Sequence, residues 1–192
     1  MARRVFFSFH YGRDIWRANQ VRNSWVTKPD RVEAGFWNSA SWEEVKKKGE
    51  EAIKRWIDKQ LEGTSVTAVL IGAETSNRDY VKYELEKSWK RGNGILGIYI
   101  HQMKDKNGNT DTQGSNTFGP IFISPNDERK YFFERFLTYD WVDNHGYNKF
   151  GDWVEAAAKK AGKWCVIWKR AQSIMQQWHK HPVPDLVDYN RN

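Results

Sequence analysis

Short apolar runs alternate with amphipathic stretches along most of this chain. Arg3 to Phe9 (RRVFFSF) is β-prone and bounded by polar residues, the pattern of a buried strand. DIWRANQVRNSW follows, with Ile15, Ala18, Arg22 and Trp25 at helical spacing and Asp14 placed to cap it. Pro29 and Gly35 mark KPDRVEAGFWNSA as a loop with one short strand near Ala34–Trp37. Ser41 and Glu44 match a capping box. Beyond them Val45, Ala52, Ile53, Trp56 and Ile57 form one apolar face, so a single helix is expected from Ser41 to a stop at Gly63.

Thr64 to Gly72 (TSVTAVLIG) predicts a second buried strand. A helix follows, with Ser76 and Asp79 as a second capping box and Gly92 as its C-cap. Gly94 to His101 (GILGIYIH) predicts a third strand. KDKNGNTDTQGSNTFGP is rich in Gly, Asn, Thr and Asp and predicts a long loop or mobile hairpin. Phe136 to Trp141 fits a last strand, and KFGDWVEAAAKKAGK a short helix. The tail again has helical spacing at Ile167, Ala171, Ile174 and Trp178, ended by Pro182 and Pro184. Strands apolar on both faces alternate with helices, which predicts an α/β fold: a central, mostly parallel sheet with helices on both sides, three layers in all. The expected division is a domain over residues 1–163 and a C-terminal helical extension over 164–192. Ligands of such sheets sit beyond the carboxyl ends of the strands. Here those places are FHYGRD and GAETSNRD.

Composition narrows the function classes. At 192 residues and 39% hydrophobic, the chain suits one globular domain with an appendage. No apolar run is long enough to span a bilayer. The start, MARRVFFSFHYGRD, lacks a secretory pattern, and the single cysteine, Cys165, excludes an internal disulfide. A cytoplasmic location is therefore the expectation. A net charge of +7 with 11 Trp raises nucleic acid as a partner. Lys and Arg are interleaved with Glu and Asp, as in KKKGEEAIKR, and that argues against it. The same charge would attract an anionic small molecule such as a dinucleotide.

Several motifs carry no chemistry. Gly92–Gly97 (GNGILG) matches G-x-G-x-x-G, but its glycines follow a helix and open a strand, the reverse of a dinucleotide turn. No P-loop is present. His179 and His181 lack the further ligands a metal would need. Ser8 lies outside any G-x-S-x-G elbow.

Glu84 is different. On a helix, Val81, Leu85, Ser88 and Trp89 share the apolar side. Asn77, Tyr80 and Glu84 line up on its neighbouring flank, since spacings of three and four stack side chains. That stripe starts directly after a strand's carboxyl end. Two readings stay open: an exposed Glu84 paired on the surface, or an acid facing a pocket.

The stretches RRVFFSFHY, VRNSWV, SVTAVLIGAETSNRDYVKYELEKS, GNGILGIYIH and YDWV together resemble the TIR-like proteins of the Thoeris antiphage system, the ThsB group. The resemblance runs from about Arg3 to Val154 and leaves the tail unmatched. It implies a flavodoxin-like, TIR-like domain that consumes NAD+ and makes a cyclic ADP-ribose isomer, a diffusible signal for a separate effector. It places Glu84 on the family's catalytic glutamate and Tyr80 where an aromatic stacks on the substrate. Phe9 and His10 fall at the pocket-lining end of the first strand, and Asn38 and Trp42 at the loop and helix start that close over the substrate. Asn77 joins them as a substrate-binding residue from its place at the start of the Glu84 helix.

One carboxylate is enough for such a reaction. Glycosidases use two because an alkoxide leaving group needs a proton. Nicotinamide departs neutral from a cationic pyridinium, so no general acid is required, and a carboxylate can steady the ribosyl cation. NAD+ is then the substrate, with no metal or bound cofactor expected. If water reaches the cation, the product is ADP-ribose. If water is excluded, a group of the same molecule closes a ring. Three rivals stand beside the cyclase: an NAD+ glycohydrolase, a non-catalytic TIR module that assembles with another protein through its TIR surface, and a nucleic-acid binder. Self-assembly or a phage-derived trigger is a further expected partner of the enzyme.

Overall fold

The computed structural model describes residues 3–27, 31–34 (backbone only), 44–118 and 136–162. Five strands form one sheet: β1 (Arg3–Ser8), β2 (Arg31–Ala34), β3 (Val66–Ile71), β4 (Gly94–Tyr99) and β5 (Leu137–Asp140). Their order is β2-β1-β3-β4-β5, and every neighbouring pair is parallel. This is the flavodoxin-like doubly wound order, with a topological switch between β1 and β3. β3 is buried at all six positions, which is why VTAVLI reads as an unbroken apolar run.

Helices α1 (Tyr11–Val26), α2 (Glu50–Gln60) and α3 (Asp79–Lys90) are joined by a C-terminal helix over 146–162. Strand alternation sorts them onto two faces. The Phe7 ring meets Phe150 of the C-terminal helix at 6.0 Å, and Phe150 meets Trp25 of α1 at 5.2 Å. Those two helices therefore share one side. Ser8 points the other way, to α3, and α3 is tied to α2 where the Tyr83 hydroxyl donates to Asp58 at 3.1 Å.

Two close approaches lock the layers. A Cβ on Gly94 would lie 2.6 Å from the Ala157 backbone, so the C-terminal helix rests directly on β4. One on Gly97 would lie 2.8 Å from the Phe118 ring. At the end of α3, Gly92 adopts φ 77°. Its N–H reaches the Trp89 carbonyl and that of Asn93 reaches Ser88, the paired bonds of a Schellman cap.

Several local expectations are corrected. The helix expected from Ser41 to Gly63 is broken: residues 44–47 form one turn, and Gly49 (φ 88°) is the N-cap of α2. Asp14 is not a cap. His10 holds that place, and Asp14 lies buried one turn into α1. Ser76 and Asp79 form no capping box either, because Thr75–Asn77 makes a separate 3-10 turn and extended Arg78 precedes α3. The short strand expected near Ala34–Trp37 is Arg31–Ala34. Ser41, and the tail that carries the division at 163/164, lie outside the described residues.

Candidate functional site

The site is built on the carboxyl-terminal edge of β1 and on α3. Residues Val81, Glu84, Leu85 and Ser88 are the buried ones of α3, so Glu84 lies inside the apolar stripe rather than on its flank. Its side chain is only 2% exposed. Ser8 and Val69 are register partners on the α3 side of the sheet, and from there the Ser8 hydroxyl donates to Glu84 Oε2 at 2.5 Å. Burial drives the Glu84 carboxyl up to about 8, and the Ser8 hydrogen bond opposes that rise. Of the two readings open for Glu84, the surface ion pair is thus excluded: no charged partner meets it among the described residues. A buried, strongly perturbed carboxyl at this edge makes Glu84 a functional-site candidate.

The other expected residues divide. Tyr80, one turn before Glu84, is half-buried and packs against the main core. Asn77 is exposed in the 3-10 turn. Both line a cleft of about 330 Å³ together with Glu50, Arg78 and Asp79. The structure therefore joins Asn77 to Tyr80, with Glu84 one turn further along α3. Phe9 has the strand parity of Phe7; it is buried, its ring 6.2 Å from Tyr11. His10 is half-buried at the start of α1 with Nδ1 3.8 Å from Glu74 Oε2. Burial first, then the nearby Arg78, lowers its pKa. Asn38 and Trp42 lie outside the described residues.

Residues that the pattern of the sequence did not single out surround this edge. Ser8 is the first; only its parity, opposite to Phe7 and Phe9, marks it. The rest form a charge network. Arg13 donates to both oxygens of Asp111 and to Glu74 Oε1 at 3.0 Å, and Arg78 also reaches Glu74. Arg17 is buried, donating to Asp14 at 3.3 Å and to the carbonyls of Met103 at 2.8 Å and Asn109 at 3.1 Å. Burial pushes Asp14 up to about 6 against the pull of Arg17. Arg13 holds Asp111 down at about 2. Two glycines let the pieces meet: a Cβ on Gly72 would lie 2.1 Å from Asp14 Oδ2, and one on Gly114 would lie 2.0 Å from the Gly72 carbonyl oxygen. The Lys104–Phe118 segment is thereby docked over the end of β3.

Fold and site together define a TIR-like α/β domain with a sealed glutamate at its sheet edge. Residues 6–105 match the family model of the Thoeris protein ThsB, TIR-like domain, and the chain belongs to that family. It is similar to a protein of Bacillus cereus (strain MSX-D12) named "Putative cyclic ADP-D-ribose synthase ThsB1". The two are 40% identical over 191 positions, covering 80% of this chain and 100% of the relative.

Proposed function

We propose that this chain cleaves the bond between nicotinamide and ribose in NAD+ and closes the remaining ADP-ribose into a ring, as a signal in antiphage defence. The observation that carries it is the burial of Glu84 beside Ser8 at the ligand-binding edge of the sheet. Membership of the ThsB family and the name of the Bacillus cereus relative support the substrate and the product.

The chemistry follows from the surroundings of the carboxyl. In the free chain Glu84 holds its proton at neutral pH, because burial disfavours the charge. A cationic pyridinium brought beside it favours the carboxylate instead. As the C1′–N bond breaks, its electron pair neutralises the pyridinium, and the carboxylate steadies the positive charge left on the ribose. A hydroxyl of the same molecule then bonds to C1′ and loses its proton to solvent, or an adenine ring nitrogen bonds through its lone pair and the adenine amino group loses the proton. Exclusion of water from a site this dry favours that closure over hydrolysis. Tyr80 supplies a ring for stacking, and Asn77 an amide at the neighbouring cleft. The chain acts in the cytoplasm, and its product reaches a separate effector by diffusion.

The test is NAD+ incubated with lysate of phage-infected cells that express the wild type or Glu84→Gln. Mass spectrometry should find a cyclic ADP-ribose isomer only with the wild type. ADP-ribose alone would make the chain a glycohydrolase. Equal products from both proteins would remove the assignment of Glu84.

A further inference from the structure

We propose that Ser8 is a positioning residue for the reaction: its hydroxyl fixes the rotamer of Glu84 and favours the ionised carboxylate over the acid. The inference rests on the proposed NAD+ chemistry and assigns a role to a residue outside the set expected to touch substrate.

The geometry is specific. Ser8 is fully buried on the last residue of β1, and Glu84 is held on the inner stripe of α3. Neither side chain has solvent to turn to. The hydroxyl donates to Oε2 at 2.5 Å. Ser8 is the hydrogen-bond partner of that carboxyl among the described residues. β1 pairs with β2 as far as Phe6 and with β3 as far as Ser8, which stands in register with Val69. The hydroxyl is therefore placed by the sheet, not by a loop, and can hold the carboxylate to a fraction of an ångström. Burial disfavours the charge that Glu84 would offer a ribosyl cation, and holds the carboxyl at about 8 even with the Ser8 bond in place. The hydrogen bond is the opposing influence, and its loss raises the fraction of protein in the inactive, protonated form.

The experiment compares wild type, Ser8→Ala and Ser8→Thr by the pH profile of kcat/KM for NAD+. In parallel, the carboxylic-acid band that disappears in Glu84→Gln is titrated by infrared difference spectroscopy, which needs no turnover. Ser8→Ala should move the midpoint of both titrations up by about one pH unit and lower kcat at neutral pH about tenfold, with KM little changed. Raising the pH should restore part of the rate, and Ser8→Thr should restore the wild-type midpoint. Unmoved midpoints in Ser8→Ala would overturn the proposal. An infrared shift in a wild type that never turns over NAD+ would uphold the role of Ser8 on the carboxyl and overturn the enzymatic reading. Should Ser8→Ala lose its folded circular dichroism, Ser8→Cys, which keeps the volume but weakens the donor, takes its place with the same expected shift.

Discussion

Arg13 grips Asp111 through both carboxylate oxygens, Nε to Oδ2 at 2.8 Å and Nη2 to Oδ1 at 2.9 Å, across 98 positions of sequence. The pair ties the first turn of α1 to the long segment after β4. Exposed pairs of this kind contribute little singly. Here the grip continues inward through Arg17, whose guanidinium is nearly sealed and satisfies two carbonyls of the same segment. Bidentate geometry at the rim and a desolvated guanidinium beneath it together hold the Lys104–Phe118 segment against the sheet edge.

Arg17→Ala should therefore cost about 3 kcal/mol or more, because it leaves Asp14 buried without its counter-charge and two carbonyls without a donor. Urea unfolding gives the loss. Amide hydrogen exchange should rise across residues 103–111 well before global unfolding. Exchange that stays at wild-type levels there would deny Arg17 its part in docking the segment.

Glu84 makes stability depend on pH in an unusual direction. Its folded value of about 8 lies above the ordinary 4.5, so between those values the folded chain binds more protons than the unfolded one. Stability must fall as pH rises through that window. Glu84→Gln removes the dependence. The variant should match the wild type near pH 4.5 and exceed it by a few kcal/mol toward pH 8. Melting temperatures across a buffer series decide it; parallel curves would mean that the carboxyl ionises freely in the folded state. Stability lost to a buried ionisable group is a known cost of function.

Tyr80 gives a third prediction, on binding. Tyr80→Phe should keep both KM and kcat near wild type, since the ring is retained. Tyr80→Ala should raise KM for NAD+ about tenfold, the worth of one stacking contact. Equal KM values for the two variants would place the ring in packing alone, where its contact with the main core already puts half of it.

Much of the fold could be read from the chain because its strands are doubly buried. β1, β3 and β4 stand out as apolar runs for that physical reason, and Gly92 marks the end of α3 because only glycine is at ease at φ 77°. The break at Gly49 was hidden because Val45 and Ile57 keep a common periodicity across it. Asp14 looked like a cap because capping and burial both favour its place near a helix start. KDKNGNTDTQGSNTFGP has the composition of a long loop or mobile hairpin, and its described part, up to Phe118, is a loop. Its order comes from Arg13 and Arg17, whose contacts with it span some ninety positions. Glu84 was found by helical spacing and by resemblance. Ser8 lacks the setting of a nucleophile elbow, yet strand alternation alone sets it against Phe7 and Phe9, on the side where α3 packs.

The hydrogen bond between Ser8 and Glu84 joins residues 76 positions apart, and β1 pairs only with strands made after it. On the ribosome, β1 emerges first and waits for β3 and α3 before its hydroxyl has a carboxyl to meet. Parallel sheets assemble slowly for this reason, since every pairing closes a long loop. A nascent chain thus carries the glutamate in water, ionised and unburied, until the central strands have come together. The sealed setting that perturbs its carboxyl arrives with the finished sheet and not before.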